Sequence, residues 1–163
     1  MIYLECYADK TLVRTLGIPR KDIVHAGTKG DVCKGLRKNK NSKGLVDEDP
    51  GSPPPSYVNE LKPQSNANNV EIRYDQTRKN HLIILSPRLE EWLLKAAREA
   101  GVSPSDYGLP EDADKLKELP KTRLMNLERF IKEILKQKSQ MIRTLERFLK
   151  GKFELKGGKD ELD

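Results

Sequence analysis

The sequence predicts an α/β fold: a mostly parallel sheet flanked by helices, carrying a long basic amphipathic helix at its C-terminal end. Three observations point there. Within the first fifty residues, short apolar runs alternate with helix-length amphipathic segments in the order β-α-β-α-β, which implies right-handed crossovers and parallel strands. The runs are apolar nearly throughout rather than alternating, as strands covered on both faces are. Finally, 120–150 carries a sustained seam of large aliphatic side chains at helical spacing.

Met1–Tyr7 is the first strand, with Glu5 as its one charge. A carboxylate in such a place needs a partner. A helix over Asp9–Leu16 follows, with Asp9 as N-cap and Gly17 as C-cap. The second strand is Asp22–Ala26. Gly27-Thr28-Lys29-Gly30 then opens a helix that runs to about Lys38. Glycines between a strand and a helix start expose backbone N–H groups that can receive phosphate, so Lys29 and Gly30 are candidate phosphate contacts. A purely structural turn fits the same residues. The Walker spacing is absent.

The third strand, Gly44–Asp47, ends in Asp47-Glu48-Asp49 before Pro50-Gly51 stops it. In extended chain Asp47 and Asp49 share one face, about 6–7 Å apart. Two carboxylates so placed repel each other unless a cation lies between them, and Mg²⁺ is held by one or two carboxylates plus waters and phosphate oxygens. A solvated acidic turn is the plain alternative. In a parallel sheet, ligands bind at the carboxyl ends of strands, which is where Asp47 and Asp49 fall.

Glu5-Cys6-Tyr7-Ala8-Asp9 resembles the strand-one signature of the Toprim superfamily, Glu-Gly-x-x-Asp, and Asp47-Glu48-Asp49 resembles its Asp-x-Asp. The intervening β-α-β and the Gly27–Gly30 turn fit the Toprim order. Cys6 replaces the usual glycine. Ser86-Pro87-Arg88-Leu89-Glu90-Glu91-Trp92-Leu93-Leu94 is similar to a segment of small stand-alone Toprim-like proteins related to the overcoming-lysogenization-defect nucleases. The resemblance implies a Toprim-like, Rossmann-like domain over 1–119 that binds Mg²⁺, or Mn²⁺, through Glu5, Asp47 and Asp49. These three become candidate catalytic and metal-binding residues, with Asp9, Glu90 and Glu91 as further candidate ligands. It also implies phosphodiester cleavage of DNA or RNA, in phage defence or repair. The length of 163 residues is too short for topoisomerase gates and shows no primase zinc ribbon.

Beyond Pro50 the chain holds three consecutive prolines, Pro53, Pro54 and Pro55, then a polar stretch, Asn59–Asn69, that reads as a mobile loop beside the acidic edge. Val70–Asp75 and His81–Leu85 are two further strands, joined by a hairpin or a longer connection. Pro87–Ala100 is a helix with Ser86 as N-cap and Gly101 at its end. Glu90 and Glu91 in its first turn favour the positive helix end, which explains them without a ligand. Ser103–Leu119 is helical in pieces.

Lys121–Leu149 reads as one helix. Leu124, Leu127, Ile131, Ile134, Met141, Leu145 and Phe148 form a heptad seam in which Lys138 takes the one polar slot. The seam packs on its own domain or pairs across a homodimer. Between Lys121 and Lys152, ten Lys/Arg stand against three Glu, enough to account for the formal net charge of +6. Lys132, Lys136, Arg143 and Arg147 on this helix are candidate nucleic-acid contacts. Residues 151–163 read as a flexible tail.

Charged residues make up 34% of the chain and hydrophobic ones 36%, a lean core under a charged surface. Two cysteines without CxxC spacing exclude a structural zinc site and suit a reducing cytosol. No apolar run reaches the length of a membrane span, so a cytoplasmic protein without a membrane partner is expected. Against the nuclease stands a second class, a non-catalytic Toprim module that binds nucleic acid or a partner protein. Three carboxylates near phosphates would serve such a module poorly. A small-molecule phosphotransferase would need a nucleotide pocket that the sequence does not locate.

Overall fold

A computed structural model describes residues 1–151; the expected tail beyond Gly151 lies outside the described residues. The chain forms an α/β fold with one six-stranded sheet flanked by helices, consistent with a Rossmann-like architecture. Its strands are β1 (Ile2–Leu4), β2 (Ile23–His25), β3 (Lys43–Asp47), β4 (Lys62–Ala67), β5 (Val70–Asp75) and β6 (Asn80–Leu85), in the spatial order β2-β1-β3-β6-β5-β4. β2, β1, β3 and β6 are parallel, and β5 and β4 complete the sheet as an antiparallel extension. The helices are α1 (Tyr7–Thr15), α2 (Lys29–Lys38), α3 (Ser56–Glu60), α4 (Leu89–Ala100), α5 (Ala113–Lys117), α6 (Leu124–Lys136) and α7 (Gln140–Lys150).

Alternation along the strands builds a core on each face of the sheet. Ile2, Leu4, Leu45, Ile83 and Leu85 belong to the larger cluster with residues of α1, α4, α6 and α7. Tyr3, Val46, Leu82 and Ile84 face the other way, into a smaller cluster with residues of α2 and α3. α2 sits unusually close to the sheet. A Cβ on Gly44 would come within 2.8 Å of Val32, and one on Gly35 within 2.6 Å of the Tyr3 ring.

Two expectations are corrected, and one open alternative is resolved. Asn59–Asn69 is not a mobile loop: it supplies the end of α3 and the strand β4, which pairs with β5. β4 is an edge strand with most of its side chains in water, so its pairing is a matter of backbone and leaves no apolar alternation to read. The connection at Asp75–Asn80 is a tight hairpin, closed by the Lys79 N–H donating to the Asp75 carbonyl at 2.7 Å.

The second correction concerns the C-terminal helix, which is two helices rather than one. Lys138 adopts a left-handed backbone, φ 63°, and the Ser139 hydroxyl caps α7 by accepting from the Ile142 N–H. Leu127, Phe130, Ile131, Ile134, Met141, Ile142, Leu145, Phe148 and Leu149 are all buried in the main core. The seam is therefore spent within the chain, and Lys138 marks a break rather than a polar heptad position. Left-handed backbone costs a Cβ-bearing residue about 1 kcal/mol. Lys138→Gly is accordingly expected to stabilise the protein by about 1 kcal/mol, read as a melting temperature about 3 °C higher. In an unbroken helix the same glycine would lower it by a similar amount.

At the amino-terminal edge of the sheet, the Lys43 ammonium donates to the carbonyls of Phe148, Leu149 and Gly151 at 3.1, 2.8 and 2.7 Å. It closes the carboxyl end of α7 onto β3, and burial lowers its pKa to about 8.

Candidate acidic site at the carboxyl edge of the sheet

β1 and β3 end side by side, Leu4 opposite Leu45, so Glu5 follows one strand where Asp47 closes the other. Glu5 reaches across and accepts the Asp47 N–H at 3.0 Å. β6 ends next to β3, and the main chain beyond Asp47 stays attached to it: Glu48 N–H donates to Leu85 and Asp49 N–H to Pro87. The turn after β6 launches α4, whose first N–H, on Leu89, donates to Asp47 Oδ1 at 2.9 Å. Asp47 therefore does for α4 what Ser86 was expected to do, with Arg88 at the N-cap position. Asp9, expected as the N-cap of the first helix, lies in the first turn of α1 behind Cys6 at the N-cap, and accepts from the Cys6 N–H at 3.2 Å.

These elements bring Glu5, Asp9, Asp47, Asp49 and Glu90 to one cavity of about 320 Å³, also lined by Tyr7, Gly27, Lys117 and Lys121. Glu91 is not among them, because its carboxylate pairs with Arg88. The cluster is electrostatically unsatisfied. Burial, reinforced by Asp9, Glu5 and Glu90, pushes the Asp47 carboxyl up to about 8. Burial and the Glu5 charge push Asp9 up to about 7. Glu5 and Glu90 are raised as well, chiefly by burial, against the opposing pull of Lys117. Glu90 is only 6% exposed, and its Oε1 has no hydrogen-bond partner. An orphaned buried carboxylate oxygen costs on the order of a few kcal/mol unless something occupies the space it faces.

Among the described residues, no three His, Cys, Asp or Glu are drawn together tightly enough to form a ready-made metal cage. Mg²⁺ keeps several waters and takes few protein ligands directly, so one or two of these carboxylates could hold it without a cage. The carboxylates offer oxygen donors, which fit Mg²⁺ or Mn²⁺, and the one sulfur in the lining, Cys6, is kept protonated by burial.

Asp47 and Asp49 also wall a second cavity of about 310 Å³ on the α2 side, lined by Lys29, Ser52, Asn59 and Arg73 among others. Lys29 donates to the Glu48 carbonyl at 3.0 Å and is thereby held beside the acidic edge. Gly30 lies in the first turn of α2, but Asp31 already serves that helix start: it accepts from the Thr28 N–H and hydroxyl. A carboxylate at this position competes with any phosphate. Lys132, Lys136, Arg143 and Arg147 are all exposed, on α6 and α7, and none lines either cavity.

Arg73, Lys117, Lys121 and Tyr7 complete the surroundings, and the sequence did not single them out. The two lysines arrive because α6 packs against α1, which draws the preceding segment over the strand ends. No local pattern announces that return. Comparison with family models, with curated proteins and with solved structures finds no match to this chain. No helix among the described residues is long and apolar enough to cross a membrane.

Proposed function

We propose that this chain is a Toprim-like, metal-dependent phosphodiesterase that cleaves DNA or RNA at the Glu5–Asp47–Asp49 edge. The observation that carries the reading is the orphaned Glu90 oxygen, buried in a cavity where four other carboxylates converge. Mutual repulsion of that kind is relieved by a hard divalent cation, held by Asp47 and Asp49 with Glu5, Asp9 or Glu90 completing the set. When bound, Mg²⁺ or Mn²⁺ would neutralise the scissile phosphate and polarise its leaving oxygen.

The chain's own residues supply the rest. Glu5 has a raised pKa and one oxygen fixed by the Asp47 N–H, which suits a general acid or base holding the proton of the attacking water or the leaving oxygen. Lys117 and Lys29 stand on the two sides of the acidic edge and can each hold a phosphate oxygen. The Toprim resemblance suggests phage defence or repair as the setting, and the free cysteines suit the cytoplasm.

A cleavage assay on plasmid, single-stranded DNA and RNA tests this, with Mg²⁺, Mn²⁺ or EDTA. Cutting is expected only with metal, and Glu5→Gln should slow it by about a hundredfold or more. Cutting that persists in EDTA would overturn the proposal. The second reading, a non-catalytic binding module, is favoured by the exposed Lys132, Lys136, Arg143 and Arg147. It predicts salt-sensitive binding without cleavage, weakened when those four are exchanged for Glu.

A further inference from the structure

Asp47 and Asp49 line both cavities, one on each face of the sheet. The strand order explains why. β1 lies between β2 and β3, so the chain leaves β1 for one neighbour and comes back on its other side. α1 accordingly packs on one face, with Leu12 and Val13 in the larger core, and α2 on the opposite face, with Val32 and Leu36 in the smaller one. A sheet opens a crevice at the carboxyl ends of its strands where the connections diverge in this way. Here the crevice has an arm on each face, and the two carboxylates stand between the arms.

The arms differ in chemistry. The α1 side holds the clustered acids. The α2 side, about 310 Å³, has an apolar floor of Val46, Val58 and Ile84, where the smaller core reaches the surface, with the exposed Pro50 and Pro54 beside it. Ser52 and Asn59 also line it, both exposed, and among the described residues neither the hydroxyl nor the side-chain amide makes a hydrogen bond. An apolar floor with a few polar groups converging on it, at the small end of ligand cavities, suits a compact group with apolar surface and hydrogen-bonding edges. Charge narrows the choice. Asp47, Glu48, Asp49 and Glu71 outnumber Lys29 and Arg73 in the lining, and Arg73 is already paired with Glu71. Such a lining repels a free polyanion. A nucleoside is neutral and meets both demands.

We propose that the α2-side cavity holds a nucleoside, the one joined to the phosphate that rests at Asp47 and Asp49. A phosphodiester carries a nucleoside on each side of its phosphorus, and an edge with an arm on each face receives it without bending either away. The place of the phosphate rests on the phosphodiesterase reading; the nucleoside cavity does not. A base lodged there is out of any duplex, so the substrate is unpaired at that nucleotide.

The test is methyl NMR of the full chain in EDTA, titrated with adenosine, guanosine, cytidine and uridine, and separately with ribose 5-phosphate and inorganic phosphate. At least one nucleoside is expected to move the Val58 and Ile84 methyl signals with a Kd in about the millimolar range, while the two phosphates leave them in place. Ser52→Trp, which fills the mouth from an exposed position, should weaken that binding about tenfold or more. Asn59→Ala should weaken it about threefold to tenfold. Circular dichroism of each variant separates lost binding from lost fold. Four nucleosides that leave those methyls unmoved at about 10 mM, phosphate that moves them as strongly, or a folded Ser52→Trp protein that binds as before would each overturn the cavity's assignment. Nucleoside binding at Val58 and Ile84 in a protein that never cuts with Mg²⁺ would sink the phosphodiesterase and keep the cavity. Metal-dependent cutting indifferent to Ser52→Trp, in a protein whose methyls no nucleoside moves, would do the reverse.

Discussion

Exchanging Asp47 for Asn is expected to lower metal-dependent cleavage by about three orders of magnitude and, at the same time, to raise the stability of the metal-free protein. The two effects have one origin. Asp47 is the most strongly perturbed of the clustered acids, pushed up by burial and by Asp9, Glu5 and Glu90. On the proposed reading the change also removes a direct metal ligand, whose loss would cost on the order of 4 kcal/mol of barrier lowering. The same change relieves a repulsion that the empty cluster must otherwise bear. Asparagine keeps a carbonyl oxygen where Oδ1 accepts the Leu89 N–H, so the start of α4 is preserved. Single-turnover cleavage and thermal unfolding, measured on one preparation, check both signs. A variant that loses activity and also melts earlier would show that Asp47 is a structural residue and not a ligand.

The second large effect concerns pH and cation together. Asp47 and Asp9 release their protons near 8 and 7 in the folded protein, against about 4 in an unfolded chain. Between those values the folded state holds more protons than the unfolded one. The contribution of this cluster to the stability of the metal-free protein should therefore fall as pH rises from about 4 to 8. Glu5 and Glu90, also raised, act in the same direction. A bound cation favours the deprotonated acids, so its stabilising effect should grow over that range. At a hundredfold excess over Kd it is worth about 2.7 kcal/mol, or roughly 7 °C in Tm. Scanning calorimetry with Mg²⁺ and with EDTA, at about pH 5 and about pH 8, reads both trends. A Tm that rises with pH in EDTA, or one that Mg²⁺ leaves unmoved at the higher pH, would contradict the reading of the cluster.

What the sequence discloses here depends on how local its cause is. Asp47 and Asp49 could be placed because they stand at the end of an apolar run, and parallel strands put such ends together; Glu5 read as a charge inside a first strand running to Tyr7, and it reaches the edge because β1 ends at Leu4. Glu90 was ambiguous for a physical reason: an acid in the first turn of a helix is explained equally well by the helix's own field, and only its burial against the cluster separates the two explanations. The break at Lys138 was hidden because lysine is a good helix former. Ser139 was the one cue, an N-cap inside what otherwise reads as a continuous seam. β4 was hidden because an edge strand is held by its backbone alone. Tyr7, Lys117 and Lys121 could not be found at all, since they meet only after α6 has packed on α1.

The lysine at the opposite edge has a bearing on how the molecule comes to exist. Lys43 belongs to the third strand, yet the carbonyls that take its ammonium are Phe148, Leu149 and Gly151, more than a hundred residues later. As the chain leaves the ribosome, β1 to β3 emerge well before those acceptors are made, and until then the ammonium has to stay in water at the end of the central strand. The first half can collapse during translation, but the sheet's amino-terminal edge closes only after α7 has been synthesised. A nascent chain halted short of Gly151 should accordingly remain protease-sensitive around β3, while the finished protein resists cleavage there.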